Sequence, residues 1–115
     1  MQADELLALV EKALDDLKGL NIQVLDVEEL TTITSRMVIC TGTSQRHVKS
    51  LADNVIHDAK QAGVRPYGVE GIEQAEWVLV DLGEIVVHIM QAQSRAFYQL
   101  EKLWAASVKE SAAHT

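Results

Sequence analysis

The run Met37-Val38-Ile39-Cys40-Thr41-Gly42-Thr43-Ser44, followed by an unbroken helical pattern to Gly63, constrains this chain more than any other segment. Arg36 to Thr41 is nearly continuously apolar, as expected of a strand in a sheet covered on both faces. Ser44 is a good helix N-cap. Val48, Leu51, Ala52, Val55, Ile56 and Ala59 then recur at i, i+3, i+4, i+7, i+8 and i+11, which lays one apolar stripe along a helix. Gly63 stands where the C′ residue adopts a left-handed backbone. A buried strand feeding an amphipathic helix predicts an α/β fold.

The rest of the chain fits around that unit. Leu6, Val10, Ala13, Leu14 and Leu17 have helical spacing, and Gly19 is a natural stop. Ile22 to Val27 is a short strand, and Glu28 to Ser35, rich in Thr and Ser, is a loop or hairpin connection. Arg65 to Val69 contains the single proline, Pro66, so an edge strand is expected there. Glu76 to Leu82 and Ile85 to Met90 are strands joined by Gly83-Glu84, a Gly-first tight turn. A last helix carries Ala96, Phe97, Leu100, Leu103 and Trp104 on one side. Ser107 to Thr115 is small and polar, a frayed tail. The predicted order is α, β, β, α, β, β, β, α: a mixed five-stranded sheet flanked by helices. It forms one domain over residues 1–106, with residues 107–115 as the tail.

Counting back from the Gly83-Glu84 turn pairs Leu82 with Ile85, Leu79 with His88 and Trp77 with Met90. Val78, Val80, Leu82, Ile85, Val87 and Ile89 then share one wholly aliphatic face, the core. Trp77, Leu79, Asp81, Val86, His88 and Met90 share the other. That mixture suits a protein-contact surface with an aromatic anchor and an adaptable methionine. The alternative is a face covered by a helix, with Asp81 and His88 at its edge. Charge favours the bare face. No Lys or Arg falls between Arg65 and Arg95, whereas Glu70, Glu73, Glu76, Asp81 and Glu84 all do.

At 115 residues there is room for one domain. A net charge of −7 opposes broad contact with a phosphate backbone and favours a basic protein partner. Little direct nucleic-acid contact is therefore expected. No apolar stretch is long enough to span a membrane. The acidic start, Met1-Gln2-Ala3-Asp4-Glu5, lacks the basic, then apolar, pattern of a secretory signal, so a cytoplasmic protein is expected.

Catalytic patterns are weak. Gly42-Thr43-Ser44 opens a helix after a strand, where amides can cradle phosphate. It lacks the Lys of a P-loop and the second glycine of a dinucleotide fingerprint. Asp26-x-Glu28 resembles a magnesium-holding carboxylate pair but lies upstream of the Gly-Ser helix, where nucleotidyltransferases place theirs downstream. A solvent-facing strand end is the plainer account. Cys40 is the lone cysteine, buried in an apolar run, so neither a disulfide nor a Cys-rich metal site is available. His47 and His57 are too far apart around their helix to share a metal. His88 pairs with an acid, meets a partner or is structural. No catalytic residue, metal or cofactor is expected.

Met37 to Val48, Gly68-Val69-Glu70-Gly71, Trp77 to His88 and Arg95 to Trp104 together closely resemble the ribosomal silencing factor family (Iojap, RsfS). The resemblance runs from about residue 4 to residue 104. It implies a nucleotidyltransferase-like α/β fold without transferase activity. It also implies binding to a large-subunit ribosomal protein, the fourteenth in the usual naming, on the subunit-joining face. Docking there obstructs the small subunit and represses translation when nutrients are short. Several relatives are dimers in isolation. Matched by position, the family's partner surface falls on Trp77, Asp81, Leu82, Gly83, His88, Met90 and Tyr98. The chain departs from the family pattern at Ser35-Arg36, at Glu84 (commonly Asp) and at Met90 (commonly Phe). A nucleotide-binding enzyme and a homodimeric scaffold are the competing expectations.

Overall fold

The computed structural model describes residues 2–29, 32 and 34–99, and the element order is the expected one. Helix α1 (Ala3–Asp16) buries Leu6, Val10, Ala13 and Leu14. It does not stop at Gly19 as expected. Lys18 takes the left-handed turn at φ 62°. The Lys18 amide donates to the Asp15 carbonyl and the Gly19 amide to the Leu14 carbonyl, so a Schellman cap closes the helix one residue early. Gly19 serves packing instead: a Cβ there would lie 2.5 Å from Cys40 Sγ.

Strand β1 (Leu20–Asp26) runs antiparallel to β2 (Arg36–Gly42), with a bulge between Leu20 and Gln23. Helix α2 (Gln45–Gln61) follows. Its start is capped as expected, the Ser44 hydroxyl accepting from the His47 amide at 3.0 Å. Gly63, at φ 85°, closes its end. Then come β3 (Gly68–Glu70), β4 (Trp77–Asp81), β5 (Ile85–Gln91) and the short α3 (Ala92–Tyr98). The sheet order is β1-β2-β5-β4-β3. β2 and β5 pair in parallel at the centre, the other neighbours are antiparallel, and β3 lies at the edge.

Helices α1 and α2 cover one face. Their apolar stripes meet Val38, Cys40, Val78, Val80, Leu82, Ile85, Val87 and Ile89 in one core. This is the aliphatic face expected from the hairpin count. The opposite face has its own small cluster, built from Leu25, Val27, Met37, Ile39 and Met90 with Trp77 packed beside it. Continuous burial of Met37 to Cys40 follows from this two-sided cover. Among the described residues no helix is long and apolar enough to cross a membrane. Leu100, Leu103 and Trp104 of the expected last helix, and the tail assigned to residues 107–115, lie outside the described residues.

Candidate functional site on the terminal hairpin

The β4–β5 hairpin has the register expected from its turn: Trp77 faces Met90, Leu79 faces His88 and Asp81 faces Val86. The Leu82 amide donates to the Ile85 carbonyl at 2.9 Å, and Gly83 sits at φ 84°. A positive φ at the first turn residue is the geometry that favours glycine there. The turn is reinforced on both sides. The Asp81 carboxylate accepts the Gly83 amide at 2.9 Å. The Glu84 carbonyl accepts the Ser35 and Arg36 amides and the Thr34 hydroxyl, while the Ser35 hydroxyl donates to the Glu84 carboxylate at 2.8 Å. The hairpin tip is thereby strapped to the start of β2.

The resemblance-based site residues separate into two groups along the hairpin. Trp77, His88, Met90 and Tyr98 meet at one end. Asp81, Leu82 and Gly83 sit at the turn, roughly 13 Å away along the strand. Trp77, Asp81 and Gly83 are partly exposed, and Tyr98 is 54% exposed. Leu82 is in the helix-covered core, as the hairpin count expected. Met90 is fully buried and His88 only 6% exposed.

The expectation of a bare second face therefore needs correction. Ile39 and Met90 are sealed, and Met37 and Val86 nearly so. Part of the cover comes from α3. Tyr98 packs on Trp77 with ring centroids 4.7 Å apart. Arg95 donates to the Asn21 carbonyl and to the Thr41 hydroxyl, both at 2.7 Å. Within α3 the inward side chain is Arg95, which is buried, whereas Ala96 and Phe97, expected to pack inward, are exposed, Phe97 by 79%. The Arg95 donors reach acceptors that the β1 bulge and β2 present, which an apolar-periodicity argument cannot foresee.

Among the described residues His88 is paired with no acid, and it is nearly sealed from solvent. Its Nδ1 accepts the Trp77 indole N–H at 2.9 Å, and the two rings lie 5.8 Å apart. Desolvation pushes its pKa down to about 4, so the imidazole is neutral near pH 7 with its proton on Nε2. Tyr67 was not singled out from the sequence. It is 81% exposed, and a Cβ on Gly83 would lie 2.6 Å from its ring. An aromatic following Pro66 at a sheet edge was the available signal. Tyr67, Asp81, Gly83 and Glu84 share an open depression of about 730 Å³ with Glu28 and Ser35.

The alternative chemistry has other uses for its groups. The Thr43 amide, where a phosphate would sit, donates to His47 Nδ1 at 2.8 Å, and His47 Nε2 donates to the Leu17 carbonyl at 2.8 Å. His47 thus ties the start of α2 to the end of α1. Asp26 and Glu28 flank Arg36 at 3.5 and 3.8 Å and face solvent. Burial pushes the Cys40 thiol up to about 11, which suits an inert core residue.

The whole of residues 1–115 matches the family described as "ribosomal silencing factor during starvation". A Haemophilus influenzae protein named ribosomal silencing factor RsfS is 52% identical over 102 residues, covering 86% of this chain and 100% of that protein. A crystal structure of a Chromobacterium violaceum protein superposes with a TM-score of 0.90 at 46% identity, covering 91% of this chain and 88% of the other. A mouse protein named mitochondrial assembly of ribosomal large subunit protein 1 is 36% identical over 87 residues, covering 73% of this chain and 38% of that protein.

Proposed function

The chain belongs to the ribosomal silencing factor family, and from that membership we propose that it is a steric inhibitor of ribosomal subunit joining. It works without catalysis, in the cytoplasm, repressing translation when nutrients are short. Its partner is the large subunit through the fourteenth ribosomal protein at the joining face, with little nucleic-acid contact. The observation that carries this reading is the partly exposed Trp77, held beside Tyr98 on a hairpin whose tip is acidic.

The physics of such an interface is familiar. A few aromatic anchors supply most of the binding energy, and surrounding charges select the partner and speed its approach. Trp77 and Tyr98 are the anchor. Asp81 and Glu84 meet basic residues of the ribosomal protein, and Gly83 lets its backbone come close. Leu82, Met90 and His88 are buried, so they support the docking surface from beneath.

The first test is sedimentation with purified ribosomal particles. The protein should travel with isolated large subunits and not with joined ribosomes. Equal recovery on both would refute the proposal. Exposed Phe97 and Tyr98 also favour self-association of the free protein through the same patch. Sedimentation at two protein concentrations, with and without large subunits, should show the dimer giving way to the complex.

A further inference from the structure

A partly exposed indole on a sheet face has several rotamers open to it, and freezing one of them during binding costs affinity. Trp77 is held on three sides. Met90, fully buried, lies directly across the strand pair. Tyr98 packs against the ring. His88 accepts the indole N–H at 2.9 Å. The first two contacts are apolar and tolerate sliding and tilting. The hydrogen bond alone is directional, so it selects the ring orientation.

It also decides what Trp77 offers outward. The N–H is the indole's single polar group, and here it is turned into the protein. What remains for a partner is hydrocarbon, which fits an apolar socket rather than an acceptor.

We infer that His88 is a positioning residue: through this one hydrogen bond it fixes the Trp77 ring for docking, without itself touching the partner. The inference rests on the reading of Trp77 as the docking anchor. His88 is 6% exposed and lies at the N–H edge of the indole, so almost none of its own surface is open to a partner. Matching by position places His88 in the family's partner surface; the structure assigns it a role one layer further in.

The test uses isolated large subunits and the full chain. Asn places an amide oxygen close to where Nδ1 stands, so H88N keeps an acceptor, whereas H88L removes it. H88L should bind about tenfold more weakly, the scale of one buried donor left unpaired, and H88N within about threefold of the native chain. In a W77F background, which has no indole N–H, H88L should add no further loss. An equal H88L loss in native and W77F backgrounds would overturn the inference, since His88 would then act independently of the indole. If W77A weakens binding while H88L binds like the native chain, the inference alone fails. If W77A itself binds like the native chain, the docking reading fails with it. A measurement without variants stands beside these: nitrogen NMR of the native imidazole should find Nδ1 unprotonated. A proton on Nδ1 would overturn the inference whether or not H88L folds.

Discussion

The indole N–H of Trp77 donates to Nδ1 of His88 across 2.9 Å, tying a partly exposed ring to a nearly sealed one. This bond requires a neutral imidazole, because the cation has no acceptor nitrogen.

Stability should therefore fall with acid in a window set by His88. Its folded pKa, lowered to about 4 by burial, lies below the 6.5 of an unfolded chain. A group shifted this way contributes its full stability above pH 6.5 and loses it as pH falls toward 4. The shift corresponds to roughly 3 kcal/mol. Urea unfolding from about pH 7 to about pH 4.5 should show most of this loss in the native chain. H88N should lack that component, and parallel pH profiles for the two chains would contradict the assignment.

Arg95 anchors α3 through the Asn21 carbonyl and the Thr41 hydroxyl. R95A removes the donor from the buried Thr41 hydroxyl and from the partly buried Asn21 carbonyl and should cost about 1–3 kcal/mol of stability. Thermal or urea unfolding reads this directly. A loss under about 0.5 kcal/mol, the range of ordinary surface changes, would show that the anchor is dispensable.

Gly71 sits at φ 81°, and a Cβ there would lie 2.2 Å from the Trp77 carbonyl. G71A both strains the backbone and pushes on the main chain of Trp77, the residue that carries the docking ring. A loss of about 1–3 kcal/mol in stability is expected, together with weaker large-subunit binding. A variant as stable as the native chain would place the constraint elsewhere.

The acidic tip should make association salt-dependent. Raising salt from about 50 to about 300 mM should slow binding to large subunits by about 3- to 10-fold. The double variant D81N/E84Q, which keeps both side-chain acceptors, should be slower at low salt and less responsive to it. Salt-independent rates would remove electrostatics from the account.

Much of this was legible because the hairpin carries its own ruler. A Gly-first two-residue turn fixes which side chains share a face, so the pairs Trp77–Met90 and Leu79–His88 followed from counting. The Ser44 cap and the Gly63 stop were equally local. The parallel pairing of β2 with β5, by contrast, depends on contacts far apart in sequence. The Lys18 left-handed cap replaced an expected glycine because the Schellman hydrogen bonds outweigh the modest αL cost of a flexible side chain. The second face was misread as bare because its cover is not periodic. Part of it rests on Arg95, whose hydrogen bonds an apolar pattern cannot reveal, and on aromatic stacking of Tyr98. Buried His88 was ambiguous for the same reason, its partner being an indole rather than an acid.

If the Trp77 surface keeps one ribosomal subunit from the other, light scattering during subunit joining shows it most directly. Titrating the native protein onto large subunits before adding small subunits should suppress the joining signal in proportion to occupancy. W77A, with its fold verified, should need far more protein, corresponding to about 2–4 kcal/mol of lost binding. Undiminished joining at saturating native protein, or equal suppression by W77A, would contradict the account.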